Sequence, residues 1–317
     1  MQDRATLSLL KHGIAIAKEC GARAIFLPWV VARQTGLQLH EEFSGSCVFL
    51  AQAGVVPEIV DPMVVCLPDV SMTRTSQVKL STFLAVSRHL VDVGDVVVFL
   101  TGDLITAEVD TILIAKIASQ SQIFSFIPTA SVLSQSVLPE VIARMLDLAV
   151  EIGTEGREGK PVGTLFVVGD AERVLSLSRP LVLNPFHGYA EVQRNILDFR
   201  LEETIKEFAS IDGAFVVRGD GVIEACGMLL KTATSEHHEI PHGLGVRHHV
   251  AAGITAVTSA LAIAVSESTG SVTVFMGGHS LIQIEKPRRT RQRRRKRSGV
   301  YFGRGLPTAD NSEQRKV

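Results

Sequence analysis

The chain has 317 residues, 46% of them hydrophobic and 21% charged, a globular balance with room for two domains. Its four cysteines, Cys20, Cys47, Cys66 and Cys226, form no CxxC pair. That argues against a disulfide framework or structural zinc site and for small buried thiols in a reducing compartment.

Thr6 to Cys20 place Leu7, Leu10, Ile14 and Ala17 on one helical face, with Gly21 as a C-cap. Short apolar runs follow at Ala24–Leu27, Cys47–Leu50 and Met63–Leu67, then an amphipathic helix over about Gln77 to Val91. Val96–Leu100 and Ile112–Ala118 are further strands, and the alternation of such runs with helices predicts an α/β layer. Pro128, Ser131, Ser134, Ser136 and Pro139 interrupt the periodicity, which places a domain boundary near 130–140. Beyond it the pattern predicts a helix over Pro139–Ile152, a strand at Thr164–Val168 and a long helix over Glu191–Ala209. Strands Ala214–Arg218 and Val222–Cys226 are joined by Gly219-Asp220-Gly221, a hairpin signal. A helix over Arg247–Ala260 precedes strands at Ala262–Ser266, Val272–Met276 and Leu281–Ile284.

The N-terminus, MQDRATLSLLKHG, lacks the basic-then-apolar layout of a signal peptide. The longest apolar stretch, Val250–Val265, is broken by Gly253, Thr255 and Thr258 and is too short to span a bilayer. The expectation is a cytoplasmic protein with no membrane contact. The net charge of −1 hides an asymmetry, because residues 286–317 carry 12 of the 32 Lys and Arg but only Asp310 and Glu313 of the 33 acids. The body is therefore near −11 and the tail near +10. The run Arg291–Arg297 cannot fold alone and suits weak contact with a polyanion or nucleic acid.

Two stretches point to chemistry. In GLGVRHHVAAGIT, Gly243 and Gly245 allow close backbone approach just ahead of a helix, whose first N–H groups form an anion site. Arg247, His248 and His249 in that first turn oppose the helix dipole unless an anion is bound, which a polyphosphate would be. In Asp212-Gly213-Ala214, an acid followed by glycine lets a ligand reach the backbone while the carboxylate holds a metal or hydroxyl. Read blandly, the first is a solvated loop and the second a plain turn. His238-Glu239-Ile240-Pro241-His242 fits HExxH, but Pro241 breaks the helix that zinc ligation needs. GTEGREGKP is not a Walker A loop, since Thr154 stands where glycine is required and Pro161 where Ser or Thr should follow the lysine. His187, in Asn184-Pro185-Phe186-His187-Gly188, shows no partner.

Asp212-Gly213-Ala214, followed by Gly245-Val246-Arg247-His248-His249, resembles the paired DGA and G-T-R-H-R motifs of diadenylate cyclase domains. EGREGKPVGTLFVVGD (Glu155–Asp170), NPFHGY (Asn184–Tyr189) and VSESTG (Val265–Gly270) resemble further blocks of that domain in the same order. KHGIAIAKECGARAIFLP and VVVFLTGD are similar to the C-terminal α/β domain of pyruvate kinase, the pairing of the archaeal-type cyclases. The resemblance implies an α/β fold with a pyruvate-kinase-C-like domain at 1–135. A diadenylate cyclase domain follows at 136–285, with a twisted mixed β-sheet flanked by helices, and then a basic disordered tail at 286–317.

It also implies that facing domains of a homo-oligomer condense two ATP into cyclic di-AMP and two pyrophosphates. Asp212 would hold Mg²⁺ or Mn²⁺ and orient a 3′-hydroxyl, with Gly213 and Ala214 against the nucleotide and Leu230 on the adenine. Arg247 and His248 would bind phosphate from the helix start, helped by Gly245, Val246 and His249, with Ser266 and Glu267 at the pocket edge. Val246 replaces the motif's threonine and His249 its last arginine, so the alternative is a nucleotide sensor that has lost cyclase activity.

Overall fold

The computed structural model describes residues 4–35, 43–52, 63–70, 72–104, 106, 108–118, 123–124, 128–129, 137–231 and 245–285. The basic tail at 286–317 and the HExxH stretch lie outside the described residues.

In the first half the short apolar runs become β1 (Ala24–Pro28), β2 (Ser46–Gln52), β3 (Val64–Leu67) and β4 (Val96–Asp103), with β5 (Glu108–Lys116). They form a sheet of order β3-β2-β1-β4-β5. The first four strands are parallel and β5 closes the edge antiparallel. Every residue of β1 is buried, as expected for a central parallel strand covered on both faces. Ile25 and Leu27 point into a cluster with Leu10, Ile14 and Ala17 of α1 (Arg4–Glu19). Ala24 and Phe26 face the opposite way, toward Val78 and Phe83 of α3 (Arg74–Ser87). The side-chain oxygen of Thr73 caps α3 by accepting the Ser76 N–H at 3.1 Å.

The second half builds a sheet of order β12-β11-β10-β6-β8-β9-β7. Its strands are β6 (Leu165–Val168), β7 (Ser178–Pro180), β8 (Ala214–Val217), β9 (Ile223–Leu230), β10 (Leu261–Val265), β11 (Val272–Met276) and β12 (His279–Ile284). β6 and β8 are parallel and the other neighbours antiparallel, so the sheet is mixed. Phe166, Phe215 and Ile263 pack on one face against α4 (Pro139–Glu155). Leu165, Val216 and Ala262 pack on the other against Ala251 and Ile254 of α7 (Val246–Val257). The core that holds α3 also holds α4, and the Ser76 hydroxyl of α3 donates to the Gln283 carbonyl on β12 at 3.2 Å.

Most of the expected strands and helices lie where the periodicity put them, within a few residues. The long helix expected over Glu191–Ala209 is a correction. Only α6 (Glu202–Phe208) is α-helical, preceded by single 3₁₀ turns at Glu191–Gln193 and Phe199–Leu201. The chain is pulled out of helix by pairing with the β8–β9 hairpin: Ile196 N–H donates to Gly221 O at 2.8 Å and Ile223 N–H to Arg194 O at 2.9 Å. Asn195 and Asp198 then bond the N–H groups two residues on, each at 3.0 Å, which favours turns over helix. Three short elements escaped the reading: α2 (Trp29–Thr35), α5 (Ala171–Ser176) and β7. Among the described residues no helix is long and apolar enough to cross a membrane.

Candidate active site

Asp212-Gly213-Ala214 joins α6 to β8. Gly213 has φ +112°, and a Cβ there would sit 2.5 Å from the Gly227 carbonyl carbon and 2.7 Å from the Met228 nitrogen. Only glycine meets both demands, the left-handed backbone and the close passage of β9. The pairing of β8 with β9 shifts register just beyond, between Ala214 and Val216, and such an irregularity re-aims the chain at a strand end. Ala214 is buried, whereas the Asp212 carboxylate is 91% exposed.

Gly245 caps α7 in an extended conformation, and its carbonyl accepts the His248 and His249 N–H groups at 3.0 and 3.4 Å. No acid stands in the first turn of this helix. Arg247 turns toward Asp212, with Nη2 3.6 Å from its carboxylate and Nη1 3.2 Å from that of Glu267. Room for this guanidinium comes from Gly163, where a Cβ would lie 2.8 Å from Arg247 Nη1 and 2.9 Å from the Glu267 nitrogen. Ser266 and Glu267 begin the turn between β10 and β11, where the Ser266 hydroxyl accepts the Thr269 N–H at 3.3 Å.

His248 goes the other way. One residue further round the helix, its side chain is 3% exposed and lies edge-on to Phe275, with ring centroids 6.0 Å apart. Its Nε2 has no partner among the described residues, and burial, with His249 beside it, holds the imidazole below its ordinary pKa. The structure therefore brings Asp212, Arg247 and Glu267 together, keeps the His248 ring in the core, and leaves Val246 and His249 exposed.

Three adjoining pockets of roughly 640, 350 and 360 Å³ meet at Arg247. The first is walled by Val246, Arg247 and the Ser266–Thr269 turn. The third is mainly apolar and lies between Gly213, Ala214, Leu230 and Val246, with Asp212 and Arg247 at its wall. The second lies between Asp212, Arg247 and the turn carrying Arg157 and Lys160. Lys160, in the stretch that fails as a Walker A loop, and Gly163, two residues beyond that stretch, thus border the cleft. The sequence signal for them is the GKPVG immediately before β6.

Among the described residues no group of three or more His, Cys, Asp or Glu could hold a metal ion unaided. The exposed Asp212 carboxylate, in a pocket lined by Arg157, Lys160 and Arg247 as well as Glu158, Glu207 and Glu267, could hold a divalent ion jointly with a phosphate, since such ions are bound through one or two carboxylates plus substrate phosphates.

Residues 151–280 match the DAC family, described as DisA bacterial checkpoint controller nucleotide-binding. The chain is 39% identical over 181 residues to a diadenylate cyclase of Methanocaldococcus jannaschii, covering 56% of each. It is 42% identical over 148 residues to one of Haloferax volcanii, covering 46% of this chain and 53% of the relative. The chain thus spans little more than half the length of these relatives. Among solved structures, a cysteine double mutant of DacA from Staphylococcus aureus aligns over 47% of this chain and 87% of its own. That alignment has 20% identity and a TM-score of 0.30.

Proposed function

Because residues 151–280 match the DAC family and the chain is similar to archaeal diadenylate cyclases, we propose that this chain condenses two ATP molecules into cyclic di-AMP. The observation that carries the reading is the Asp212 carboxylate 3.6 Å from the Arg247 guanidinium, where the three pockets meet. The 3′-hydroxyl of one ATP attacks the α-phosphorus of the other. The new P–O bond replaces the α–β linkage, pyrophosphate leaves and the hydroxyl proton is lost. A second, reciprocal attack closes the ring. Positioning and charge neutralisation dominate such a transfer.

Asp212 orients the attacking hydroxyl, and Arg247 draws the phosphates to the start of α7. Gly213, Ala214 and Leu230 line the adenine side, and Glu267 and Ser266 border the phosphate side. His248, with its ring buried, is assigned to the phosphate end through its place in the first turn of α7, with Gly245, Val246 and His249 beside it. Asp212 would hold the divalent ion that diadenylate cyclases require, Mg²⁺ or Mn²⁺. Held there, it would supply charge neutralisation for the phosphates and acidification of a hydroxyl.

Each cleft supplies half of the reaction, so two copies face one another. The 91% exposure of Asp212 and 78% exposure of Val246 support a cleft that a second copy completes. Residues 1–135 are read as the pyruvate-kinase-C-like domain, a reading supported by the parallel strands β1–β4. Residues 136–285 are read as the cyclase domain and 286–317 as a basic tail suited to weak polyanion contact. Four free thiols support a cytoplasmic setting.

The test incubates the protein with ATP and Mg²⁺ or Mn²⁺ and looks for cyclic di-AMP by chromatography and mass. Product that vanishes in Asp212→Asn upholds the reading. ATP binding without product under either metal would replace it with the nucleotide sensor.

A further inference from the structure

The turn that follows α4 opens the Glu155–Asp170 block, in which the resemblance gives no single residue a role, yet it forms one wall of the pocket beside Asp212. Its shape is fixed from within. Arg157 and Lys160 exchange backbone hydrogen bonds at 2.9 and 2.8 Å, and Glu158 and Gly159 take left-handed conformations at φ +49° and +77°. Gly156, at φ +64°, ends α4 where a Cβ would overlap the Lys160 carbonyl oxygen. The turn is also tied from outside, because the Arg157 guanidinium bonds Glu203 at 2.8 Å and Glu207 at 2.6 Å on α6. Pro161 then stiffens the chain directly after the lysine.

The charges around this pocket sort into committed and uncommitted groups. Arg157 is matched by two carboxylates, and Arg247 stands between Asp212 and Glu267. Lys160 is exposed and has no ion pair among the described residues, and Glu158 is its one uncommitted acidic counterpart. A free ammonium on a rigid turn, beside the arginine expected to meet the phosphates, is a site for a compact polyanion.

We propose that this pocket is a pyrophosphate subsite, occupied first by the β,γ-phosphates of ATP and then by the departing product, with Lys160 as its binding cation. The inference rests on the ATP-condensing reading and extends it to the fate of the leaving group. Glu158 acts against Lys160 and keeps product binding weak enough for release.

The experiment measures pyrophosphate binding to the full chain by calorimetry, and alongside it the KM for ATP and the affinity for cyclic di-AMP. Lys160→Ala should weaken pyrophosphate about tenfold or more and raise the KM for ATP similarly, the loss expected for one charge-assisted contact. Affinity for cyclic di-AMP, which has no β,γ-phosphates, should not change. Lys160→Arg should restore binding, and Glu158→Gln should tighten pyrophosphate. Wild-type pyrophosphate affinity in Lys160→Ala, or an equal loss of cyclic di-AMP affinity, would overturn the subsite. If the wild type forms no cyclic di-AMP, the condensing reading fails by itself. Pyrophosphate binding that depends on Lys160 would still uphold the subsite, and binding indifferent to Lys160 would remove it.

Discussion

Arg247 reaches two carboxylates on different elements, Asp212 at 3.6 Å ahead of β8 and Glu267 at 3.2 Å after β10. The side chain is 32% exposed, so these are partly screened contacts, worth more as positioning than as stability. A planar guanidinium can address both groups at once, whereas an ammonium is a single point charge. Arg247→Lys should therefore fold normally and lose about ten- to a hundredfold in kcat/KM for ATP, mostly through KM. Steady-state kinetics on the purified variant check this, and an unchanged KM would remove Arg247 from phosphate binding.

Gly213 gives a sharper stability test. At φ +112° a side chain is strained, and the neighbours a Cβ would meet are backbone atoms of Gly227 and Met228, which cannot rotate aside. Gly213→Ala should cost about 2–4 kcal/mol and lower the melting temperature by roughly 3–6 °C. It should also impair activity, because Asp212 is carried by the same bend. Thermal unfolding followed by circular dichroism reads the first effect, and product formation the second.

The sequence conveyed the layers of the fold because buried strands are short apolar runs, and β1, β4, β6 and β10 contain little else. It failed over Glu191–Ala209, where helical periodicity was overridden by pairing with a hairpin some thirty residues away, a contact no local pattern encodes. At the candidate site, the motifs singled out Asp212 and Arg247, and the fold brings these two residues within 3.6 Å of each other. The outward turn of Arg247 and the burial of His248 were not, since adjacent residues in one motif differ in fate only through helical phase. Gly163 and Lys160 were hidden for another reason. Their stretch, Glu155–Asp170, resembles a block of the cyclase domain, but that likeness gives neither residue a role, and its nearness to Asp212 arises from the parallel pairing of β6 with β8.

Val246 occupies the motif position where a threonine is usual, and it lies 78% exposed in the first turn of α7. An exposed apolar side chain here contributes little to the core, so Val246→Thr should leave stability within about 0.5 kcal/mol of wild type. The added hydroxyl could accept or donate to a phosphate at the helix start, and ATP affinity should rise by a few-fold. Equilibrium ATP titration of the two proteins decides this. Equal affinities would mean that backbone groups alone serve this position.

Asp147, on the middle of α4, is the residue most exposed to a pH test. Burial drives its carboxyl up to about 6, with Arg144 opposing and Glu151, Glu202 and Asp69 adding to the rise. Cys66 on β3 also feels this carboxyl, although its thiol is raised mainly by its own burial. The folded chain therefore binds this proton more tightly than the unfolded chain. The associated stability is fully present below about pH 4 and is lost as pH rises through about 6. Above that range the ionised carboxylate costs up to about 3 kcal/mol relative to a neutral group. Asp147→Asn keeps the shape and removes the titration, so at pH 8 it should melt roughly 5 °C above wild type. The gap should close as pH falls toward 4. Melting curves across that range read it directly, and a gap that is constant with pH would mean that Asp147 is already charged and solvated in the folded chain.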